Sequence, residues 1–320
     1  MRAIGLLCLA GAALAQPYRI TGPYTHDNLS IYLVHQVPSP FVKRYLTLQE
    51  AMDQKKVRVH ETGNVGELAV ENVSGEEVFI QGGDIVKGGR QDRVLSNDFI
   101  LPPRSGRVPV ASFCVEQGRW SQRGSEPSQH FGVAERVLPT KELKMAVRSK
   151  KDQREVWNKV AEAQAGLATA TSVTVASETS PTSLQLTLEN KQLNERIDQY
   201  VRSLGKITAS HKDAVGYAFA IHGEVNSAEV YATPDLFASL WNKLLKASAT
   251  EAVAKFRKDA RSNTPSIEAV SAMLADADAA QASVKPLSGR VSLSQKETLK
   301  NLVFELRDGD AWVHRSYITK

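Results

Sequence analysis

The sequence predicts a mixed α+β fold, in which a β-rich sandwich or barrel-like region precedes an α+β region with strand hairpins flanked by helices. Between residues 17 and 116, short runs rich in Val, Ile and Tyr alternate with closely spaced Gly and Pro turns, which is typical of sandwiches and barrels. After residue 140, apolar residues recur at helical spacing between further strand-like runs. We therefore divide the chain into residues 1–15, 16–140 and 141–320, and expect the last two regions to pack as one domain.

The β-rich region is expected to contain strands, tight turns and one short helix. Residues 17–37 predict two strands around a polar turn. Thr47 and Glu50 form a capping-box pattern, which predicts a short helix after Thr47. Residues 71–80 predict a hairpin through a Ser-Gly turn. Residues 117–140 are polar and rich in turn residues, so they predict a long loop.

The α+β region is expected to alternate helices with hairpins. Thr233 followed by Pro234 predicts the start of a long helix, because Thr is a good N-cap and Pro suits the first helical position. The Thr, Ala and Ser tract of residues 168–183 predicts a linker or flexible loop. The other predicted elements are helices over residues 150–165 and 184–204, a hairpin over residues 214–232, a helix after Pro265, and closing strands around an Asp308-Gly309 turn.

The first 15 residues have the pattern of a secretory signal peptide. Arg2 supplies a positive charge, residues 3–12 are apolar, and Ala13 and Ala15 occupy the small-residue positions that a signal peptidase reads. The apolar run is shorter than the roughly 20 residues of a membrane-spanning helix. We therefore expect cleavage after Ala15, export to the periplasm or the extracellular space, and no transmembrane segment afterwards. Cleavage leaves Cys114 as the one cysteine, so no internal disulfide is expected.

Charge and motifs argue against several function classes. The formal net charge is +5, and Lys and Arg occur in runs mixed with acids, which is typical of solvated helix faces. We therefore expect no nucleic-acid partner. The sequence has no dinucleotide-binding, phosphate-loop or nucleophile-elbow motif, and its seven histidines lack HxH and HxxxH spacing. We therefore expect no cofactor and no metal site.

The densest group of glycines and polar side chains lies in residues 81–120. The glycine-rich run before Arg93 could bind phosphate or carboxylate through backbone amides, with Arg90 and Arg93 as charge partners. No helix follows this run, so the helix-dipole contribution of a phosphate loop is missing. A wide β-turn, in which glycines take positive φ, explains the same run.

The end of the same segment supplies the candidate site. Period-2 alternation places Cys114 and Glu116 on one face of a strand. Both are candidate catalytic residues, although a packed thiol and a structural Glu–Arg ion pair explain the same pattern. Guanidinium groups bind anions and an indole stacks on planar rings. The candidate ligand-binding residues are Gln91, Arg93, Arg119 and Trp120.

The runs GGDIVKGGRQDRVLSNDFILPP with VPVASFCVEQGRW, and GYAFAIHGEVNSAEVYATPDLFASLWNKLL, resemble a bacterial family of unknown function, the ARG and rhodanese/phosphatase-superfamily-associated protein domain. The closing WVHRSYI is similar to the family's last block, so the resemblance spans residues 28–318. It implies an α+β domain without an established activity. The family's name refers to ADP-ribosylglycohydrolases, which implies ADP-ribose or related chemistry by association alone. The positions that match the pattern are Gly88, Gly89, Gln91, Arg93, Cys114, Glu116, Arg119, Trp120 and Gly223.

The leading functional hypothesis is an exported binding or accessory protein, whose partner is a small molecule or a component of the cell envelope. The alternative is a hydrolase of a phosphorylated or ADP-ribose-like compound, with Glu116 as acid/base and Arg93 and Arg119 as an anion clamp. A third hypothesis is a structural interaction module, which would carry an exposed apolar patch or an unpaired sheet edge.

Overall fold

A computed structural model describes residues 18–36, 43–258 and 263–320. The expected signal peptide, residues 1–15, and its cleavage site lie outside the described residues. Helices and many antiparallel strands are both present, which confirms the mixed α+β class. Within the described residues no helix is both long enough and apolar enough to cross a membrane.

The strands in chain order are β1 Tyr18–His26, β2 Leu29–Gln36, β3 Leu46–Thr47, β4 Val57–Glu61, β5 Glu67–Asn72, β6 Val78–Ile80, β7 Asp84–Gly88, β8 Arg93–Leu95, β9 Phe99–Leu101, β10 Gly106–Cys114, β11 Phe131–Val137, β12 Ala214–Ile221, β13 Glu224–Tyr231, β14 Ala282–Ser288, β15 Val291–Glu297, β16 Asn301–Asp308 and β17 Ala311–Thr319. The α-helices are α1 Leu48–Asp53, α2 Lys141–Met145, α3 Gln153–Thr171, α4 Leu184–Leu188, α5 Lys191–Leu204, α6 Pro234–Ala254 and α7 Ile267–Asp278. A π-helix covers Ala146–Lys150, and a 3-10 helix covers Ile207–Ser210.

The largest sheet has eight antiparallel strands in the order β1-β2-β12-β13-β17-β16-β15-β14. Side chains alternate along each strand, so the strands present apolar residues on both faces of the sheet. Helices cover both faces. In β2, Ile31 and Leu33 pack in one core with α6. The intervening Tyr32 and Val34 pack in a second core with α7.

The second sheet is a nearly closed barrel of six antiparallel strands in the order β11-β7-β8-β10-β5-β4. Its two edge strands, β11 and β4, approach each other through a single bridge between His60 and His130. Apolar side chains such as Val59, Val86 and Leu95 fill the interior beside α1. The outer face, which includes Val94, packs against α3 and α4. A small third sheet pairs β6 with β3 and β9.

Several local predictions are confirmed. Thr47 caps α1 with the predicted capping box: its side chain accepts from the Glu50 amide, and the Glu50 carboxylate accepts from the Thr47 amide. Thr233 caps α6 and Pro234 occupies the first turn. Strands β1 and β2 pair around a turn at residues 27–28, and β12 and β13 pair around His222 and Gly223, whose φ values are 49° and 81°.

The predicted hairpin over residues 71–80 is wrong. Strand β5 pairs with β4 and β10, whereas β6 pairs with β3 and β9. The buried Asn72 explains the change of direction. Its amide donates to the carbonyl groups of Glu76 and Pro102, and its oxygen accepts from the Ser74 amide. These bonds hold a turn that sends the chain into a different sheet.

Other boundaries also differ from the predictions. Residues 117–140, which were predicted to be a long loop, contain strand β11. The turn residues before this strand gave the whole stretch the composition of a loop. The helix predicted over residues 184–204 is two helices, because the Asn190 side chain caps a new start at α5. Helix α3 extends to Thr171, so the predicted linker is shorter. Strand β2 pairs with β12, so residues 16–140 and 141–320 share one sheet; the division between them stays a prediction.

Candidate functional site

The glycine-rich run forms the connection between β7 and β8. Gly88 and Gly89 have φ values of 116° and 56°, and a Cβ atom on Gly89 would lie 2.2 Å from the Phe131 ring. The Gly88 amide donates to Asp92 Oδ1 at 3.0 Å, and the Gly89 amide donates to the Pro127 carbonyl at 3.1 Å. These amides therefore serve internal hydrogen bonds. The run is a bend in which two glycines have positive φ, which agrees with the non-phosphate explanation of the glycine-rich run.

A buried ion network lies behind this turn. We call it the Asp92–Glu116 network, and its members are Gln91, Asp92, Glu116, Arg119, Arg123, Ser180 and Ser183. Arg123 donates two hydrogen bonds to the Asp92 carboxylate, at 2.8 and 3.0 Å, and one to Glu116 Oε1 at 3.1 Å. Arg119 Nη2 lies 2.6 Å from Glu116 Oε2. Both carboxylates are completely buried, so each depends on these partners for the hydrogen bonds that water would otherwise supply.

The remaining oxygen positions of the network are also occupied. Ser180 Oγ donates to Glu116 Oε1 at 2.5 Å, and Ser183 Oγ donates to Asp92 Oδ2 at 2.8 Å. The Asp92 amide donates to Glu116 Oε2 at 3.0 Å. The Gln91 amide group donates to the Glu116 carbonyl at 2.8 Å. The network thus ties the β7–β8 turn, the end of β10 and the segment before α4 to one another.

The two carboxylates of the network titrate differently. Burial favours the neutral form of Glu116, but Arg119 and Ser180 outweigh burial and lower the pKa of Glu116 below its usual value. Burial raises the pKa of Asp92, and the nearby charge of Glu116 adds to that rise against the bonds from Arg123. A general acid at neutral pH needs a raised pKa and access to substrate. Glu116 has a lowered pKa and no exposure.

Arg93 and Trp120 belong to a separate group at the end of the barrel. Arg93 alternates with Val94 along β8 and is completely buried. Its Nη1 donates to the Val65 carbonyl, and its Nη2 lies 3.8 Å from Glu61 Oε1. Trp120 is 40% exposed, and the guanidinium carbons of Arg90 and Arg93 each lie 5.4 Å from its ring centre. We call Trp120, Arg90, Arg93 and Val65 the Trp120 surface.

Cys114 is a packed thiol. It is completely buried, and burial raises its pKa to about 11. The Gln153 side chain holds the Cys114 backbone, accepting from its amide at 2.8 Å and donating to its carbonyl at 2.9 Å. Because the thiolate is the nucleophilic form, this environment suits a structural role and not covalent catalysis.

The structure thus divides the predicted site residues into two groups. Gln91, Glu116 and Arg119 meet in the Asp92–Glu116 network, and Arg93 and Trp120 meet at the Trp120 surface. Sequence analysis missed three members of the network, which are Arg123, Ser180 and Ser183. Arg123 lies in a polar stretch without a repeating pattern. Ser183 carried one usable signal, because a serine directly before an apolar helical run is an N-cap candidate.

Sequence analysis also missed a second buried cluster, which we call the His314 cluster. His314 Nδ1 lies 3.1 Å from Asp98 Oδ2, and His314 Nε2 lies 3.0 Å from Glu229 Oε2. Arg148 contacts Asp98 at 2.7 Å, and Lys144 contacts Glu229 at 2.8 Å. His314, Asp98 and Glu229 are almost completely buried. No sequence motif joins these residues, because they come from four separate segments of the chain.

The charges of the His314 cluster stabilise one another. Burial favours neutral His314, but Asp98 and Glu229 outweigh burial and raise the pKa of His314. Burial likewise disfavours the Glu229 anion, yet Lys144 and His314 lower the pKa of Glu229 to about 2. Arg148 and His314 lower the pKa of Asp98 in the same way. The Tyr231 ring stacks on the imidazole at 4.5 Å and limits access to it.

Two cavities that lie away from both groups of candidate residues have polar and charged side chains in their lining. One, of about 860 Å³, lies where β4 and β11 separate and includes Arg58, His60 and Phe131 in its lining. The other, of about 380 Å³, lies at the β12–β13 turn. Neither is lined by the predicted site residues. Within the described ranges, no group of three or more His, Cys, Asp or Glu side chains is arranged to hold a metal ion.

The fold and the site together define a class: a mixed α+β protein with a nearly closed barrel, a buried arginine–carboxylate network and an aromatic–arginine surface at the barrel end. A family model described as the ARG and Rhodanese-Phosphatase-superfamily-associated Protein domain matches residues 17–318, and the chain belongs to this family. The comparison with curated proteins and the comparison with solved structures found no match.

Proposed function

We propose that the protein binds a ligand at the Trp120 surface and acts outside the cytoplasm. The observation that carries the proposal is the partly exposed indole of Trp120 with two guanidinium groups at 5.4 Å from its ring centre. Large aromatic side chains are usually buried when they serve only packing, and an indole beside cations is a common platform for planar ligands.

The ligand class follows from the charges of this surface. Arg90 is partly exposed and can contact a ligand directly. Arg93 is buried beneath the exposed part of the Trp120 surface and adds positive charge to it. Its Nη2 lies 3.8 Å from Glu61 Oε1, which offsets part of this charge. Its Nε and Nη2 atoms have no hydrogen-bond partner among the described residues. We therefore propose a ring-shaped ligand with negative charge, such as a nucleotide or a sugar phosphate.

The hydrolase alternative has less support from the geometry. Glu116 is completely buried, has a lowered pKa and already accepts from Arg119, Arg123 and Ser180. Arg93 and Arg119, the residues of the supposed anion clamp, lie in different groups. No specific observation favours this alternative over binding.

Calorimetric titration with nucleotides and sugar phosphates tests the proposal. Removing base–aromatic stacking costs about 1–3 kcal/mol, so Trp120→Ala should weaken binding by roughly 5- to 150-fold. The separate variant Arg90→Gln should also weaken binding, most strongly at low salt. Both variants should keep the melting temperature of the wild type, because their side chains are partly exposed. Trp312→Ala is the matched control, since Trp312 also pairs with an arginine, Arg315, at 4.7 Å.

Two results would contradict this proposal. One is that none of the compounds binds to the wild-type protein. The other is that Trp312→Ala weakens binding as much as Trp120→Ala does, which would make the loss a general effect of removing a tryptophan.

Export is a separate proposal, and it depends on the pattern of residues 1–15. We propose that a signal peptidase removes this segment after Ala15. N-terminal sequencing of the protein from the extracytoplasmic fraction should then begin at Gln16. A chain that keeps Met1 and stays in the cytoplasmic fraction would contradict it.

A further inference from the structure

The cavity at the β12–β13 turn has the size and the walls of a small-molecule site. Its volume is about 380 Å³, and ligand pockets commonly measure roughly 300–1,000 Å³. It is bounded by the β12–β13 turn, the end of α6 and the first residue of α2. Apolar contacts come from Ile221, Val225 and Phe256. None of its lining residues belongs to the Trp120 surface, so this site is independent of the proposed function.

Positive charge dominates the lining. Lys141, Lys255 and Arg257 line the cavity together with one acidic residue, Glu224. Lys255 is neutralised by Glu142 at 2.9 Å and Glu251 at 2.7 Å.

Lys141 and Arg257 provide the charge that a ligand would meet. Lys141 Nζ instead contacts the Thr319 hydroxyl at 3.2 Å, and no carboxylate of the described residues lies within ion-pair distance of it. The Arg257 side chain is exposed. These two cations are therefore available to a bound anion.

His222 adds a directed polar group to the same wall. Its backbone has a φ of 49°, in the left-handed region that few non-glycine residues adopt. Its Nε2 lies 3.1 Å from the Lys255 carbonyl and 3.2 Å from the Arg257 amide. In the tautomer that carries its proton on Nδ1, Nε2 accepts from the Arg257 amide, and this bond fixes the ring between the turn and the end of α6. Nδ1 makes no hydrogen bond within the described part of the chain, so it can serve a ligand.

Hydrogen bonds to Glu251 connect the three segments that bound the cavity. Asn226 is nearly buried, and its amide donates to Glu251 Oε1 at 2.8 Å. The Lys141 amide donates to the same oxygen at 3.4 Å. These bonds join β13, α2 and α6, so the three walls are held in place before a ligand arrives. Such preorganisation lowers the ordering cost of binding.

We propose that this cavity binds a small organic anion that carries a phosphate or carboxylate group. Lys141 and Arg257 contact the anionic group, His222 forms a hydrogen bond to it, and Phe256 and Val225 pack against the organic part. The Lys255 ammonium stays paired with its two carboxylates and shapes the wall.

Calorimetric titration at low salt with inorganic phosphate, glycerol phosphate and citrate tests this site. We expect saturable one-site binding to the full chain by at least one of the organic anions. Lys141→Gln and Arg257→Gln should each weaken that binding by tenfold or more. His222→Asn should weaken it as well, because Asn tolerates the left-handed backbone but lacks the ring donor. Lys141→Gln and Arg257→Gln should keep the wild-type melting temperature.

Lys258→Gln is the matched control, because Lys258 is an exposed neighbour of Arg257 that does not line the cavity. It removes the same charge and should leave the affinity unchanged. Equal weakening by Lys258→Gln and Arg257→Gln would overturn the proposal, since the effect would then be general electrostatic attraction. Absence of saturable binding by all three compounds would overturn it too. Trp120→Ala should not alter this binding, which separates the site from the Trp120 surface.

Discussion

Glu116 and Arg93 differ in their surroundings although both lie near the end of β10. Two arginines and a serine hydroxyl contact the Glu116 carboxylate within 3.1 Å. Arg93 has one hydrogen bond and a carboxylate at 3.8 Å, and it lies beside a partly exposed indole. A fully paired buried charge supports structure, whereas an underpaired charge beside a surface aromatic supports binding.

Glu116→Gln tests the structural role at the level of the residue. The substitution leaves Asp92 as the one fully buried carboxylate beside Arg119 and Arg123, and removing one partner of a buried ion pair costs about 3–5 kcal/mol. We expect a loss of that order in the free energy of unfolding, measured with urea. Glu126→Gln is the control, because Glu126 contacts the same Arg123 but is 27% exposed, so its loss should stay below about 1 kcal/mol.

A Glu116→Gln variant as stable as the wild type would contradict this assignment. If the variant also lost a hydrolase activity while keeping its stability, the acid/base hypothesis would replace the structural one.

The segment between α3 and α4 shows how an element with weak local preference becomes ordered. Its Thr, Ala and Ser composition predicts a linker, yet Ser180 and Ser183 bond to the two buried carboxylates. Ser183 also caps α4 by accepting from the Leu186 amide at 3.0 Å. The Asp92–Glu116 network therefore holds this segment in place, and α4 begins directly after Ser183, its last network residue.

Ser183→Ala tests this coupling at the level of the element. The variant loses an N-cap, which costs about 1 kcal/mol, and a hydrogen bond to a charged group, which contributes about 1.5–3 kcal/mol. Ser266→Ala removes only the N-cap of α7, a serine that bonds to the Ala269 amide, and should cost about 1 kcal/mol. Chemical denaturation of both variants measures the difference. Equal losses would show that the Asp92 contact adds no stability.

The His314 cluster joins the parts of the whole molecule. Asp98 lies between β8 and β9, Arg148 lies in the π-helix, and Glu229 and His314 lie in the eight-stranded sheet. The ion pairs therefore connect the barrel region to the large sheet. Since these charges are buried and paired with charges of opposite sign, their protonation states affect the stability of the entire fold.

The pH dependence of unfolding tests this cluster. The pKa of His314 is raised above 6.5, so its contribution is fully present below pH 6.5 and is lost as the pH rises through the folded value. The pKa of Glu229 is lowered from 4.5 to about 2, so its contribution is present above pH 4.5 and is lost as the pH falls towards 2. From this cluster we expect the highest stability between about pH 4.5 and 6.5.

His314→Gln should remove the loss of unfolding free energy between pH 6 and pH 9, measured by urea unfolding at each pH. His130→Gln is the control, because His130 is exposed and should keep the wild-type slope. The assignment fails if His314→Gln and the wild type have the same slope over this range.

Local signals in the sequence determined much of the secondary structure. The capping box at Thr47, the Thr233-Pro234 start of α6 and the β12–β13 hairpin are all correct. Each depends on residues within a few positions of one another, and backbone preferences act over that distance. The mixed α+β class and the family resemblance also came from such runs.

Only the tertiary structure decided which polar residues meet. Ser180 and Ser183 reach carboxylates 64 and 91 residues away, and His314 reaches Glu229 across 85 residues. The pairing of β5 and β6 with other strands, and the different partners of Arg93 and Glu116, depend in the same way on how the sheets close. The packing of distant segments decides which of these groups are buried and which partners they meet, and burial and partners together set their pKa values. The periodicity of residues within one run carries no information about that packing.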